Sequence, residues 1–383
     1  MGQETEEKYL KNIRSYASKH YQNQPLSIWH RLPISRRSSV FILLFMGQLG
    51  ELRVLLTKRS SKLRNFPGHI SLPGGKADTG LESEWQVARR EMEEEIGISI
   101  NNEFLLKNYG FEIEHLNILP SYLSRTFSSV RPCIGFMKFT DADAINKQNI
   151  INLNPGESSS VFSCPLRDFL YPLIKDEPLE SLERNSYKVK WGGIPWDLRT
   201  YTFLQSNDRE VPWLKKIVDL SASEIESDED QLELEEQLSG DDVKEVTSES
   251  IGSNIKTRQR KSTSKPKTKR VKKDLSSWGR LGSRRHEVTN EKIYDVWGLT
   301  ANILHDLATI AYISEGDGSS IKREIGEEEL IYSIFEHGKQ MRVKQRSEEE
   351  TKLIQAESLQ EPFGFNDILP RTEFNRLKNL YKL

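Results

Sequence analysis

The sequence predicts a mixed α+β fold of the α/β class, in which a mixed sheet is sandwiched between helices. Residues 38–46 (SSVFILLFM) and 52–57 (LRVLLT) are strand-like apolar runs on either side of the turn signal GQLG. Residues 83–96 carry Met92 and Ile96 at helical spacing, in an apolar stripe that must face a core. Further strand-like segments follow this helix, and such an alternation typically builds a sheet covered by helices.

The remaining elements are assigned in chain order. Residues 1–33 are predicted to form a helical N-terminal extension, because Tyr9, Ile13 and Tyr16 recur at helical spacing. Residues 34–220 are assigned to the first part of the main domain. Its later segments are strands at 109–113, 130–139 and 161–162, a short helix at 165–170 and a strand at 194–204.

Residues 221–283 differ in composition from the chain around them. Glu and Asp dominate residues 224–242, and Lys and Arg dominate residues 256–273. Blocks of like charge with few aromatic residues stay unfolded, because they bury too little apolar surface to offset chain entropy. We therefore expect a disordered insert. Its basic block also has the composition of a nuclear-import or nucleic-acid patch, although the acidic block partly neutralises it.

The insert is expected to interrupt a domain and not to separate two. The strand at 194–204 before it and a strand at 292–297 after it predict a hairpin with an expanded loop, since closure entropy grows slowly with loop length. A helix capped by Thr300 follows, and residues 284–314 are assigned to the closing strand and helix of the domain. Residues 315–383 are assigned to a C-terminal extension.

Composition excludes several classes of protein. The net charge of -2 gives no overall attraction to nucleic acid or to an anionic membrane. Cys133 and Cys164 are the only cysteines, so a disulfide framework is excluded and a reducing compartment is expected. The longest apolar run, 40–46, is too short to span a bilayer, and the first residues lack the features of a secretory signal or transit peptide. We therefore expect a soluble intracellular protein without a membrane partner.

Four glutamates crowd the end of the helix at 83–96. At 100° per residue, Glu91, Glu94 and Glu95 share an arc of about 100°. Glu93 faces the opposite side. One interpretation is a solvated acidic surface, since two of the glutamates have an arginine four residues earlier. The other is a divalent-metal site, because like charges at i,i+4 and the helix dipole both oppose this clustering unless a cation is bound.

The Gly-rich loop before this helix favours the metal site, because glycine lets a backbone approach a ligand closely. The whole segment 72–98, LPGGKADTGLESEWQVARREMEEEIGI, resembles the Nudix box of Nudix hydrolases, G-x5-E-x7-R-E-U-x-E-E-x-G-U with U apolar. REMEEEIGI at 90–98 fits the second half at every position, and Glu82 stands eight residues before Arg90. One departure is that six residues, not five, separate Gly75 from Glu82.

The resemblance implies roles for individual residues. Glu91 and Glu95 would be the principal ligands of Mg²⁺ or Mn²⁺, and Glu94 would bind the metal directly or through water. Arg90 would orient the glutamates by ion pairing. The carbonyl of Gly75 would complete the metal shell. The metal would neutralise a diphosphate and help to generate or position a hydroxide.

The residues just upstream resemble a particular subfamily. Residues 55–78, LLTKRSSKLRNFPGHISLPGGKAD, are similar to the signature of coenzyme A diphosphatases, roughly LLTxRSxxLRxxxGxxxFPGGKxD. Leu72 replaces the usual Phe, and the extra loop residue is shared with this subfamily. Coenzyme A carries a 3′-phosphate besides its diphosphate, so its site needs additional cations. The candidates for substrate binding are Lys58, Arg59, Arg64 and Lys76.

Two later segments extend the resemblance. LNPGESSSVFSCPLRDFL at 153–170 is similar to the subfamily's N-P-x-E…V-F…P-L segment, and it implies Glu157 as a base or an additional acidic group. A solvated loop glutamate is the alternative at this position. YDVWGLTANIL at 294–304 is similar to the subfamily's closing strand and helix.

The resemblance implies a metal-dependent enzyme that hydrolyses the diphosphate bond of coenzyme A, acyl-CoA or oxidised CoA. The products would be 3′,5′-ADP and 4′-phosphopantetheine or its derivative. One alternative is a nucleotide-pool sanitising enzyme acting on oxidised nucleoside triphosphates. Another is a Nudix-fold RNA-binding or decapping protein that uses the basic block. The presence of all three glutamates argues against a module that only binds.

Location is predicted from the chain's C-terminal residues and from the subfamily, which includes peroxisomal enzymes. Lys382 and Leu383 match the last two residues of the S-K-L import signal, whereas Tyr381 replaces the small residue expected first. We expect a peroxisomal protein whose C-terminal tail binds an import receptor. Cytoplasm and mitochondrion are the alternatives.

Overall fold

The computed structural model describes residues 2–140, 149–220, 282–313, 324–355 and 363–382. The predicted disordered insert therefore lies outside the described residues, apart from its last two positions. The strands are β1 (Arg37–Met46), β2 (Leu52–Arg59), β3 (Ile70–Ser71), β4 (Gly74–Lys76), β5 (Phe111–Ile118), β6 (Tyr122–Leu123), β7 (Ser129–Phe139), β8 (Ser158–Pro165), β9 (Glu183–Trp191), β10 (Ile194–Leu204), β11 (Ser283–Arg285) and β12 (Lys292–Trp297).

Helices pack on the sheets and also form the first and last elements of the chain. They are α1 (Gly2–Ser15), α2 (Glu84–Ile96), α3 (Asn102–Tyr109), α4 (Pro212–Lys215), α5 (Gly298–Tyr312), α6 (Glu328–Glu336), α7 (Glu348–Gln355) and α8 (Arg371–Leu380). Within the described ranges, no helix has both the length and the apolar character needed to cross a membrane.

Strand β1 is the centre of the larger sheet. It pairs parallel with β7 and antiparallel with β2 and β4, so the sheet is mixed. Both faces of β1 are buried, which explains its continuous apolar run. Ile42 and Leu44 pack in a core with α1 and α5, whereas Phe41 and Leu43 pack in a second core with α2 and α3. The predicted mixed sheet between helices is therefore confirmed.

The smaller sheet has the strand order β11-β12-β10-β9. Its centre is the predicted hairpin, since β10 pairs antiparallel with β12 from Thr200–Trp297 to Leu204–Ile293. Strand β11 begins at Ser283 and pairs with β12. Ser283 is also the residue at which the insert is predicted to end.

The structure corrects three boundaries. Helix α1 ends at Ser15, and the rest of 1–33 continues as loops and short 3-10 turns. The reason is that the side chain of Asn117 donates to the carbonyls of Ile13 and Tyr16, at 2.8 and 2.7 Å, and so satisfies the last turn. Thr300 lies inside α5, which begins after Trp297 without a side-chain cap.

The third correction concerns the strand predicted at 109–113. Tyr109 is the last residue of α3, and the strand begins at Phe111. Gly110 separates the two elements with a left-handed φ of 72°, a conformation that glycine adopts without steric cost.

The N-terminal and C-terminal extensions pack on each other. Ile28 and Leu32 share a core with Ile331 of α6 and Leu377 of α8. This core is separate from the two cores on either face of β1. The extensions therefore form a third layer of the molecule and are not loose appendages.

A buried ionic junction joins this layer to the start of α2. Arg131 of β7 lies 3.7 Å from a carboxylate oxygen of Glu328 on α6 and 3.5 Å from one of Glu84 on α2. Glu328 also accepts hydrogen bonds from the backbone N–H groups of Ile28 and Ser121. Although burial opposes ionisation, its polar partners hold the pKa of Glu328 at about 2.

Candidate functional site

Both ends of α2 are fixed by local sequence. At the N-terminus, the hydroxyl of Ser83 accepts from the N–H of Gln86 at 3.3 Å, and the side chain of Gln86 accepts from the N–H of Ser83 at 2.8 Å. This reciprocal capping box contributes about 1 kcal/mol to helix stability. Gly97 ends the helix in the left-handed conformation, with φ of 78°. The glutamates near the helix end are thus held on a rigid element.

Strand β4 brings the Gly-rich loop against α2. It pairs with β1 so that Gly75 lies opposite Ser39. A Cβ atom added to Gly75 would stand 2.3 Å from the carboxylate carbon of Glu91, and one added to Gly74 would stand 2.4 Å from the carbonyl oxygen of Ser39. Glycine at these positions therefore lets the loop backbone approach the sheet and the Glu91 carboxylate without displacing either.

Glu95 is the most buried of the candidate carboxylates, with 7% of its surface exposed. It accepts from the N–H of Gly74 at 3.3 Å and from the hydroxyl of Ser158 at 3.5 Å. Burial raises the pKa of Glu95 to about 8, and the charges of Glu91 and Glu157 add to the increase. With a pKa of about 8, this carboxyl group is mostly protonated at neutral pH unless a metal ion binds to it.

Arg90 gathers several acceptors around its planar guanidinium. Its Nη1 donates to Glu91 at 3.1 Å and to Glu94 at 3.0 Å, and its Nε donates to Glu82 at 3.0 Å. Its Nη2 donates to the carbonyl of Lys76 at 2.9 Å. The Arg90 side chain therefore links α2 to the residues before it, at Lys76 and Glu82. Its ion pairs with Glu91 and Glu94 are of the kind that the sequence resemblance implies.

The donor set fits a hard divalent cation. Glu91 and Glu95 offer carboxylate oxygens beside the backbone of Gly75, and burial raises the pKa of both. A cation would relieve that cost. In the described ranges, no three His, Cys, Asp or Glu side chains are already close enough to hold an ion. Arg90 donates to Glu91 and Glu94, and Glu95 accepts from the N–H of Gly74, so an ion would compete with these contacts.

A β-bulge positions the acidic loop beside Glu95. The pairing of β2 with β8 runs Lys58–Ser160 and then Arg59–Ser158, so Ser159 is an extra residue. Bulges re-aim side chains and are common next to active sites. Here the bulge places Ser158 against Glu95 and brings Glu157, whose carboxylate accepts from the side chain of Asn154 at 3.0 Å, close enough to raise the pKa of Glu95.

The four predicted substrate cations do not share one location. Arg59 is half-buried close to Glu95, and its charge lowers the pKa of that residue against the larger effect of burial. Lys58 instead lies 3.6 Å from Asp219 and is 7% exposed. Consecutive strand residues point to opposite faces, so the structure does not bring Lys58 together with Glu95. The other two cations are exposed: Arg64, in the loop between β2 and β3, and Lys76, the last residue of β4.

Three residues at the site were not selected from the sequence. Ser158 was missed because only the bulge turns it towards Glu95. His69 accepts from the indole N–H of Trp297 at 3.2 Å, across 228 residues of chain, and no local pattern predicts such a pair. The capping box around Ser83 could have been found, since S-x-x-Q before an apolar run is its signature.

Comparisons with known proteins identify relatives of this chain. The NUDIX domain model matches residues 35–184. The chain is 36% identical over 361 residues to peroxisomal coenzyme A diphosphatase 1 of Saccharomyces cerevisiae, which covers 90% of this chain and 87% of that protein.

Two further relatives match over a shorter stretch. Identity is 39% over 165 residues to the mitochondrial Nudix hydrolase 15 of Arabidopsis thaliana, or 43% of this chain and 51% of that protein. It is 30% over 140 residues to a peroxisomal coenzyme A diphosphatase of Mus musculus, or 37% of this chain and 51% of that protein. The likeness to the yeast enzyme covers most of the chain, and the chain belongs to the Nudix family of hydrolases.

Proposed function

We propose that this enzyme hydrolyses the diphosphate bond of coenzyme A and of its acylated or oxidised derivatives, releasing 3′,5′-ADP and 4′-phosphopantetheine or its derivative. The observation that carries the proposal is the 36% identity over 90% of the chain to a yeast coenzyme A diphosphatase. The half-buried Arg59, contributed by the coenzyme A signature, lies within electrostatic reach of Glu95 and would supply a cation near the acidic site.

Nudix hydrolases require a divalent metal, and we propose Mg²⁺ or Mn²⁺ here. Glu91 and Glu95 would hold it, with Glu94 and the carbonyl of Gly75 completing the donors. When bound, the cation supplies charge neutralisation of the diphosphate and activation of the attacking water. Arg90 positions the carboxylates, because its guanidinium bonds both Glu91 and Glu94.

The remaining roles follow from position. Glu157 lies in an exposed loop within electrostatic reach of Glu95, and we assign it as a proton acceptor for the attacking water. Arg59 would bind the diphosphate. Arg64 and Lys76 are exposed and would reach the 3′-phosphate or the distal phosphate oxygens, whereas the ion pair with Asp219 argues for a structural role of Lys58.

Incubation with coenzyme A and either Mg²⁺ or Mn²⁺, followed by chromatographic separation of products, tests the proposal. We expect 3′,5′-ADP and 4′-phosphopantetheine in equal amounts. Glu95→Gln should lower turnover by about 10²-fold or more, whereas the matched control Glu93→Gln, on the opposite side of α2, should keep it. Robust turnover of an oxidised nucleoside triphosphate or a capped RNA without turnover of coenzyme A would replace the proposal with one of these activities.

We also propose a peroxisomal location, which the printed names of the yeast and mouse relatives support. An import receptor would bind the C-terminal tail. Tyr381 is 5% exposed, and its hydroxyl accepts from the N–H of Leu330 at 3.4 Å, so the receptor would have to displace this contact. Imaging of an N-terminally fluorescent fusion, with and without the last three residues, tests the location; diffuse or mitochondrial signal from the full chain contradicts it.

A further inference from the structure

The loop between β2 and β3, residues 60–68, is a closed surface loop next to the candidate site. Two backbone hydrogen bonds close its base: the N–H of Arg59 donates to the carbonyl of His69 at 2.9 Å, and the N–H of Gly68 donates to the carbonyl of Arg59 at 3.2 Å. Both bonds that close the loop are therefore made by the backbone of Arg59, the residue whose charge acts on Glu95.

Phe66, near the tip of this loop, is held in an unfavourable conformation. Its φ is 54°, in the left-handed region that bulky residues rarely adopt, and its side chain is 42% exposed. Neither property benefits a fold by itself, since a large apolar ring stays partly exposed to water and the backbone is strained. Strain of this kind persists where the surrounding structure imposes it, and it is concentrated at binding and catalytic sites.

The ring of Phe66 is supported from one side. It packs edge-on against His69, with ring centroids 5.5 Å apart, and His69 packs on Trp297 at 5.5 Å. His69 is buried and accepts from the indole N–H of Trp297 at 3.2 Å, so its own position is fixed. Because Trp297 ends β12, the strand that closes the domain holds the aromatic surface in place.

Arg59 connects this aromatic surface to the reacting centre. Its Nη2 donates to the carbonyl of Asn65 at 3.4 Å, directly before Phe66, and its charge reaches both His69 and Glu95. Its Nε is buried without a hydrogen-bond partner among the described residues. A ligand whose phosphates lie at Glu95 and Arg59 would therefore place its adjoining group at the loop.

We infer that Phe66 is a stacking platform for the adenine base of the substrate, braced by His69 and Trp297, with the exposed Arg64 on the same loop facing the ribose phosphate. This inference rests on the proposed function. A planar aromatic ring beside cations matches the nucleotide half of coenzyme A, whereas the pantetheine half is a thin, neutral chain without a flat face.

Calorimetric binding of 3′,5′-ADP and of 4′-phosphopantetheine to Phe66→Ala tests the inference. We expect the dissociation constant for 3′,5′-ADP to rise about tenfold or more, and that for 4′-phosphopantetheine to stay within about twofold. Phe66→Tyr should restore nucleotide affinity, because it keeps a π face, and Phe66→Leu should not. Phe104→Ala is the matched control, since that ring is 46% exposed on α3.

A stability measurement separates this role from a structural one. Phe66→Gly accepts the left-handed conformation without cost, so its melting temperature should equal or exceed that of the wild type while nucleotide affinity falls. A loss of affinity only in variants that melt earlier would overturn the inference. So would unchanged binding of 3′,5′-ADP to Phe66→Ala, or a wild-type protein that does not bind this nucleotide.

The binding assay also distinguishes the two proposals. If the wild type cleaves coenzyme A and Phe66→Ala binds 3′,5′-ADP normally, only the stacking inference fails. If the wild type does not cleave coenzyme A but Phe66→Ala loses affinity for 3′,5′-ADP, the stacking inference stands and the proposed reaction falls.

Discussion

Replacing Glu95 with glutamine should stabilise the metal-free protein while removing its response to metal. The ordinary pKa of this carboxyl group is 4.5, and burial raises it to about 8 in the folded chain. At pH 7 folding therefore requires a carboxyl group that is ionised in the unfolded chain to take up a proton, which costs about 3 kcal/mol. Glutamine is neutral at every pH and avoids this cost.

The expected gain is smaller than that cost. The amide oxygen of glutamine can still accept from the N–H of Gly74, but its NH₂ group needs an acceptor, for which the hydroxyl of Ser158 is in reach. We expect Glu95→Gln to raise the unfolding free energy by about 2 kcal/mol in EDTA near pH 8. The folded pKa is raised, so wild-type stability falls relative to the variant as pH rises from 4.5 to about 8 and then levels off.

Urea denaturation with and without millimolar Mg²⁺ measures both effects. The wild type should gain stability on adding metal and the variant should gain little, because binding to the native state stabilises by mass action. Glu93→Gln serves as the control, since that side chain accepts from the N–H of Ile100 and lies away from the site. If Glu95→Gln unfolds more easily than the wild type in EDTA, or if the difference is the same near pH 5 and near pH 8, the assignment of a desolvated carboxyl group is wrong.

Three further substitutions test other contacts of the site. Gly75→Ala places a Cβ 2.3 Å from the carboxylate of Glu91, so kcat should fall by about 10²-fold. Gly80→Ala is the control, because its Cβ would meet nothing closer than 3.7 Å and kcat should not change. Steady-state kinetics compare the two variants. Arg59→Ala should raise KM for coenzyme A about tenfold, and Lys58→Ala should lower the melting temperature with KM unchanged; equal KM effects would contradict the opposite-face geometry. Arg90→Lys cannot reproduce the four-acceptor network and should lower kcat more than it changes KM; wild-type kcat would show that the fork geometry is dispensable.

Local patterns were sufficient for the fold and for the helix that carries the glutamates. The alternation of apolar runs and turns in residues 38–57 gave β1 and β2 nearly at their observed bounds, because both faces of β1 are buried. The 3.6-residue period likewise separated Glu93 from the other glutamates. The resemblance of residues 90–98 to the Nudix box implied ion pairing of Arg90 with the glutamates, and Arg90 donates to Glu91 and Glu94 in the structure.

Local patterns could not predict the tertiary contacts between residues far apart in the sequence. Lys58 and Arg59 are equivalent in a list of cations, and only the sheet shows that they face opposite sides. Helix α1 ends at Ser15 because a side chain more than a hundred residues away, Asn117, takes its last carbonyls. Ser158 reaches Glu95 because of one extra residue in a strand, and no propensity scale distinguishes that register from the regular one.

Arg131, which pairs with both Glu84 and Glu328, has a consequence for the order in which contacts can form during synthesis. The first turn of α2 and the start of α6 hold the same buried charge, although 244 positions separate Glu84 from Glu328 in the chain. During synthesis the Nudix core therefore leaves the ribosome with Arg131 lacking one of its two carboxylates. The ion pair between Arg131 and Glu328 can form only after residue 328 has been synthesised.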